Sequence, residues 1–238
     1  MIPARYAATR FPGKLMKMLG SKTIIRHTYE NTVATRLFDE VAVVTDSDAI
    51  FDEIVQHGGY AIRSRGHHES GSDRIAEAVA DIDVEIVVNV QGDEPFVEQN
   101  ILSSLLSVFE HDHTKRIQVA SPMRYATPDD DLKDPNLVKV VVDKEMNALY
   151  FSRSIIPYNR DKQTPPTCYK HIGIYAFRKQ ALLNFTSWEI TPLENSEKLE
   201  SLRYLENGVK IRMVLCDQAP ISIDTPTDLE KARAVLNL

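Results

Sequence analysis

Cysteine is scarce in this sequence, with two residues, Cys168 and Cys216, among 238. They lie far apart, fit no metal-ligand spacing and build no disulfide framework, so they read as free thiols in a reducing, cytoplasmic compartment. Cys216 follows an apolar run and is expected in the core. No apolar run is longer than four residues, which excludes a membrane-spanning helix, and the N-terminus carries no apolar signal segment. A net charge of -6 and a pI near 5.7 argue against a nucleic-acid binder, which should be basic. The glycine-rich phosphate loops G-x-x-x-x-G-K-[ST] and G-x-G-x-x-G are both missing. So is a G-x-S-x-G elbow for a nucleophilic serine. The pair His67–His68 has no Cys/His cluster around it, so no zinc site is expected there.

The residues present are those of an ordinary globule. A hydrophobic fraction of 43% and a charged fraction of 26% supply a core for one large α/β domain or two small ones. Short β-branched runs alternate with amphipathic segments. Strands are predicted at Val41–Thr45, Glu85–Val90 and Ile117–Ser121, and helices at Ser21–Arg36, Asp46–His57, Ser70–Asp81 and Val97–Glu110. This order predicts an α/β fold with a mostly parallel, Rossmann-like sheet covered on both faces. The second half differs. Lys139–Asp143 and Ala148–Phe151 flank a hairpin turn, and a strand at Ile172–Phe177, a helix at Asn195–Asn207, a strand at Lys210–Leu215 and a helix from Pro226 follow. The chain is treated as one domain, 1–238, with an inserted antiparallel element around 122–178 that is a candidate dimer platform. Only Met1 and Ile2 precede Pro3, so the first strand is either short or begins upstream of this chain.

Charge is distributed unevenly. Six cations, Arg5, Arg10, Lys14, Lys17, Lys22 and Arg26, precede the first acidic residue, Glu30. Such a segment in an acidic protein suggests a small anionic ligand. Ligands in open α/β sheets bind at the carboxyl ends of strands. The stretch IPARYAATRFPGK leaves such an end, and Pro12-Gly13 keeps it irregular. Arg5, Arg10 and Lys14 could there meet a triphosphate, although a solvated basic loop reads equally well. In NVQGDEP a strand runs into Asp93, a hard-oxygen ligand suited to Mg²⁺, or simply a turn residue. Asp224 in ISIDTPTDLEKA likewise ends a strand, or caps the next helix. In HHESGSDR, Ser70, Gly71 and Ser72 open a helix whose free N–H groups could hold a base edge or phosphate, with Arg74 on its first turn; a ligand-free cap is the plainer alternative. A last cluster combines Arg153 with His171, Gly173 and Tyr175, alternating on one strand face, and with Glu197 and Glu200, three apart on one helix. It would suit a polyhydroxylated acid. With no nucleophile in view, the chemistry points to metal-assisted phosphoryl or nucleotidyl transfer without a covalent enzyme intermediate.

The motifs IPARYAATRFPGK, SGSDR, VNVQGDEP, DPNLVKVVVD, ALYFSRSIIP, KHIGIYAFR, PLENSEKLESLR and IDTPTDLEKAR occur in this order. Together they resemble the 3-deoxy-manno-octulosonate (Kdo) cytidylyltransferases over nearly the whole chain. The resemblance implies a nucleotidyltransferase-type α/β fold and a cytoplasmic homodimer. It implies a Mg²⁺-dependent reaction of CTP with Kdo that yields CMP-Kdo and pyrophosphate for lipopolysaccharide assembly. It implies that Ala4, Arg5, Arg10 and Lys14 hold the CTP phosphates, that Ser70, Gly71, Ser72 and Arg74 bind the nucleotide, and that Asp93 and Asp224 hold the metal. Gln91, Arg153, His171, Tyr175, Glu197 and Glu200 would line the sugar site, within or near the inserted element. The chain departs from the family pattern at Gly13-Lys14-Leu15-Met16, where a proline is usual after the lysine, and at Ser72, usually threonine. Two other readings fit the same motifs: a CMP-sialic acid synthetase-like enzyme and a non-catalytic nucleotide-binding regulator.

Overall fold

The computed structural model describes residues 1–7, 11–66, 68, 70–128, 130–160 and 167–236. Contacts divide the chain into two units, Met1–Ser103 with Pro220–Leu238, and Ser104–Ala219.

The first unit runs β1 (Ile2–Ala4), β2 (Met18–Leu19), β3 (Lys22–Thr23), α1 (Ile24–Ala34), β4 (Val43–Thr45), α2 (Asp48–Gln56), β5 (Ala61–Arg63), α3 (Gly71–Val79) and β6 (Ile86–Asn89), and leads into α4 (Gln99–Glu110). β1, β4 and β5 are parallel in that order, with Ala4 opposite Thr45 and Thr45 opposite Arg63. β6 runs beside the start of β1, where the Val90 N–H donates to the Met1 carbonyl at 3.1 Å. Ile2, Val43, Val44, Val87 and Val88 are buried, as a parallel sheet covered by helices requires. Helices begin where the sequence supplies a cap: Thr23, Ser47 and Ser70 accept from the N–H groups of Arg26, Ile50 and Asp73. The helix predicted from Ser21 therefore starts at Ile24, because Lys22–Thr23 pairs with Met18–Leu19 as a hairpin.

The second unit is built on β7 (Val119–Tyr125), followed by β8 (Lys139–Val142), β9 (Ala148–Ser152), β10 (Tyr169–His171), β11 (Tyr175–Arg178), α5 (Lys179–Ser187), α6 (Pro192–Glu197), α7 (Ser201–Glu206) and β12 (Ile211–Leu215). β10 and β11 pair antiparallel with β7, β12 runs parallel along its opposite edge, and β8 joins β10 to β9. α8 (Pro226–Val235) returns to the first unit. A parallel sheet in one unit and a large antiparallel one in the other give the expected α/β architecture. Among the described residues no helix is long and apolar enough to cross a membrane.

The chain departs from the expected elements in several places. Of the strand predicted over Ile172–Phe177 only Tyr175–Phe177 is strand, in β11; β10 ends at His171, and in the gap the Ser121 hydroxyl donates to the Ile174 carbonyl at 2.8 Å. His171, Gly173 and Tyr175 therefore do not alternate along one continuous strand. The helix predicted over Asn195–Asn207 is two. Lys198 takes φ 52° and ends α6, and Glu200 stands at the N-cap of α7. Glu197 and Glu200 accordingly sit on different helices. The reversal brings Arg203 back onto Glu194 with two hydrogen bonds of 2.6 Å, which a straight helix could not do at this separation. Cys168, not Cys216, is the buried thiol, and neither is in a disulfide.

Candidate functional site

At the carboxyl edge of the first unit, three residues distant in sequence meet. The Lys14 ammonium donates to an Asp93 carboxylate oxygen and, at 2.9 Å, to Asp224. Gly13, at φ 64°, turns the chain into a single 3-10 turn over Lys14–Met16, and Leu15 is buried beneath it. The packed Leu15 side chain fixes this turn. Gly92 lets the next loop approach: a Cβ there would lie 3.1 Å from the Pro3 carbonyl and 3.2 Å from Leu15. Thr28 donates to the Gly92 carbonyl at 2.9 Å, and Ile223 N–H to the Asp93 carbonyl at 3.0 Å. The cap of α8 is Thr225, with Asp228 closing the capping box, so the Asp224 carboxylate is not spent on the helix. Burial alone would lower the Lys14 pKa, but the charges and hydrogen bonds of Asp93 and Asp224 outweigh it and raise it.

Among the described residues no three His, Cys, Asp or Glu side chains form a group that could hold a metal. Asp93 and Asp224 nevertheless converge on one cationic group. Two carboxylates suit Mg²⁺ when substrate phosphates and water complete its shell. Ala4 is buried at the end of β1 and Arg5 is exposed beside it. Arg10 lies outside the described residues.

The helix-opening motif forms the plain cap: the Ser70 hydroxyl accepts from Asp73 N–H at 3.1 Å and donates to the Asp73 carboxylate at 2.8 Å. Gly71 abuts β1, since a Cβ would lie 3.2 Å from Pro3 Cγ. Ser72 and Arg74 are buried. The Gln91 amide donates to Asn89 at 3.2 Å.

The second unit gathers the other predicted residues from four segments. Glu197 accepts from the Ser152 hydroxyl at 2.7 Å and from Arg153 N–H at 2.9 Å. The Arg153 guanidinium donates to the carbonyls of Glu197 at 2.7 Å, Pro135 at 2.7 Å and Lys198 at 3.3 Å. Three of its five N–H groups are thus committed to backbone. The Arg153 carbonyl in turn accepts from Lys139, a wholly buried ammonium. His171 lies between Phe151 and Tyr175, at ring-centroid distances of 4.9 and 5.4 Å. The Ser121 hydroxyl donates to Ile174, so it accepts from His171 Nε2–H at 2.8 Å, which leaves Nδ1 as an acceptor. Burial, then the charge of Glu200, push the Tyr175 pKa up and outweigh its hydrogen bond with Ser201. The phenol therefore stays protonated.

Burial pushes the His171 pKa from 6.5 down to about 3. Below pH 6.5 the unfolded chain gains a proton at this residue that the folded chain refuses. Stability from this group is complete above the unfolded value and falls as pH drops toward the folded one, by about 1.4 kcal/mol per pH unit. The melting temperature of wild type should therefore fall more between pH 7 and 5 than that of His171→Gln. A parallel fall in both would mean that His171 ionises in the native state.

Several supporting residues lack an obvious sequence signal: Ser121, Ser152 and Lys139 act through distant contacts. Asp46 is different. It donates nothing, but its carboxylate accepts from Arg74 Nη2 at 3.1 Å, and it follows β4 as Asp93 follows β6. The strand-end rule that singled out Asp93 and Asp224 would have found it, had Asp46 not been read as the start of a helix.

A family model for cytidylyltransferases matches residues 1–211. The 3-deoxy-manno-octulosonate cytidylyltransferase of Flavobacterium johnsoniae is 62% identical, over 99% of this chain and 97% of its own. That of Christiangramia forsetii is 58% identical, over 100% and 96%. Among solved structures, CMP:2-keto-3-deoxy-manno-octonic acid synthetase complexed with CTP superposes with a TM-score of 0.92 at 36% identity, over 99% of this chain and 96% of that one. With relatives at this identity over nearly the whole chain and the same overall fold, the chain belongs to the 3-deoxy-manno-octulosonate cytidylyltransferase family of nucleotidyltransferases.

Proposed function

We propose that this enzyme transfers the cytidylyl group of CTP to the C2 hydroxyl of Kdo, releasing pyrophosphate and supplying CMP-Kdo for lipopolysaccharide biosynthesis. The observation that carries the reading is the meeting of Lys14, Asp93 and Asp224 at the carboxyl edge of the first unit. Two carboxylates would repel each other there without a cation. The C2 hydroxyl oxygen attacks the α-phosphorus and gives up its proton to solvent, and the bond from that phosphorus to the pyrophosphate oxygen breaks. Arg5, Arg10 and Lys14 neutralise the triphosphate and the leaving group, the kind of charge stabilisation that often dominates catalysis. Mg²⁺ held by Asp93 and Asp224 would supply Lewis-acid neutralisation of phosphate oxygens. Ser70, Gly71, Ser72 and Arg74 bind the nucleotide.

The sugar acid is assigned to Gln91, Arg153, His171, Tyr175, Glu197 and Glu200. Arg153 offers the carboxylate its remaining N–H groups, Tyr175 a hydroxyl donor and His171 an uncharged ring. The enzyme is further assigned as a cytoplasmic homodimer. Exposed apolar side chains of the second unit, Leu149 at 61% and Tyr158 at 82%, support a partner surface there. The deciding experiment is pyrophosphate release. It should require CTP, Mg²⁺ and Kdo together. Faster release with sialic acid than with Kdo would overturn the substrate assignment, and CTP binding without turnover would make the protein a regulator.

A further inference from the structure

Arg74 poses a question that helix capping does not answer. It is 4% exposed, yet α3 is already capped by the reciprocal bonds of Ser70 and Asp73. Its Nη2 donates to Asp46 at 3.1 Å. Its Nη1 is buried and has no hydrogen-bond partner among the described residues. A buried guanidinium N–H without an acceptor costs free energy unless something else supplies one.

Asp46 is equally unusual. It immediately follows β4, whose Thr45 lies opposite Ala4 in β1. A lone carboxylate would there stand at the strand end next to the basic segment assigned to the triphosphate, and would repel that ligand. Paired with Arg74 it does not. The pair carries no net charge, and it presents one open donor. Such a donor suits a neutral acceptor better than a polyanion, because the charge that would draw a phosphate is already spent on Asp46.

The geometry points to Asp46 as a positioning residue: its carboxylate locks Arg74 Nη2 so that Nη1 is held ready for a neutral acceptor on the nucleoside end of CTP. This rests on the reading of Arg74 as a nucleotide residue. Asp46 itself need not touch the substrate.

The test measures binding of CMP and of pyrophosphate by calorimetry, together with steady-state kinetics, for wild type, Asp46→Ala, Asp46→Asn and Arg74→Ala. Asp46→Ala should weaken CMP binding and raise the KM for CTP about tenfold, the scale of one hydrogen bond to a charged group. Pyrophosphate affinity should not weaken, and the KM for Kdo should hold. Asp46→Asn keeps a carbonyl acceptor for Nη2 and should recover most of the loss, a rescue that a purely structural role for the charge does not provide. If Arg74→Ala weakens CMP binding and Asp46→Ala does not, the positioning role is overturned while the nucleotide reading of Arg74 stands. If neither does, both fall. Weakened pyrophosphate binding in Asp46→Ala would overturn the assignment to the nucleoside end. Should Asp46→Ala fail to fold, Asp46→Glu keeps the charge and displaces it by one methylene. It must then weaken CMP binding, and wild-type affinity in that variant overturns the proposal.

Discussion

Replacing Asp93 or Asp224 with asparagine should lower kcat at saturating CTP and Kdo by at least about 100-fold, the effect of deleting one preorganised charge-stabilising group. Each carboxylate is proposed to act on charge that develops as pyrophosphate departs, so kcat rather than KM should carry the loss. Thermal stability should hardly change. Each variant keeps one carboxylate paired with Lys14, so the half-buried ammonium is not left without a charge partner. Asparagine also retains an oxygen that can accept from Lys14. The measurement is kcat across a Mg²⁺ titration, with a melting curve for each variant. Wild-type turnover in both variants at saturating Mg²⁺ would remove the two-aspartate metal site from the mechanism. A matching collapse of stability would instead make the cluster a structural clamp.

Arg203→Met should strongly destabilise the second unit. Arg203 and Glu194 are 5% and 6% exposed and share two hydrogen bonds of 2.6 Å. The guanidinium also stacks over Phe185, 4.0 Å from its ring centroid. Removing one partner leaves a buried charge uncompensated and costs about 3–5 kcal/mol. At roughly 2–4 °C per kcal/mol for a chain of this size, the melting temperature should fall by about 6–20 °C. Replacing both partners by apolar residues, Glu194→Leu with Arg203→Met, should recover much of that loss, because no lone charge remains buried. A drop under about 1 kcal/mol in the single variant would mean that solvent reaches Glu194 and that this pair does not hold α6 against α7. The pair also bears on function. It accompanies the reversal at Lys198 that separates Glu197 from Glu200, so Arg203→Met should raise the KM for Kdo at temperatures well below its melting point. An unchanged KM for Kdo would show that the two glutamates hold their places without it.

Local chemistry was legible because its causes lie a few residues apart. Ser70 opens α3, as a short polar side chain before an amphipathic run predicts, whereas Thr23 and Ser47 cap α1 and α2 inside the bounds that the sequence suggested for those helices, and Thr225 caps α8 in place of Asp224. Val43–Thr45 and Ile86–Asn89 are strands because β-branched runs of that length fit a sheet buried on both faces. On sequence alone a helix cap was the plainer reading of both Ser70 and Asp224; in the fold the Ser70 hydroxyl does bond Asp73, whereas Thr225 takes the cap of α8 in place of Asp224.

By itself the sequence determined the family, the alternation of strands and helices in its first half, and the excess of positive charge before Glu30. Each is a property of residue order and composition. Only the tertiary structure decided which charges meet. Lys14, Asp93 and Asp224 are joined because Gly92 admits close packing and Ile223 pairs with the Asp93 loop. Glu197 and Glu200 part onto two helices where the buried Arg203–Glu194 pair forms. The break after His171 is where the Ser121 hydroxyl reaches across to the Ile174 carbonyl. Helical or strand periodicity records which face a residue occupies. It cannot record a contact formed across a loop, because the energy of that contact depends on partners that local order does not name.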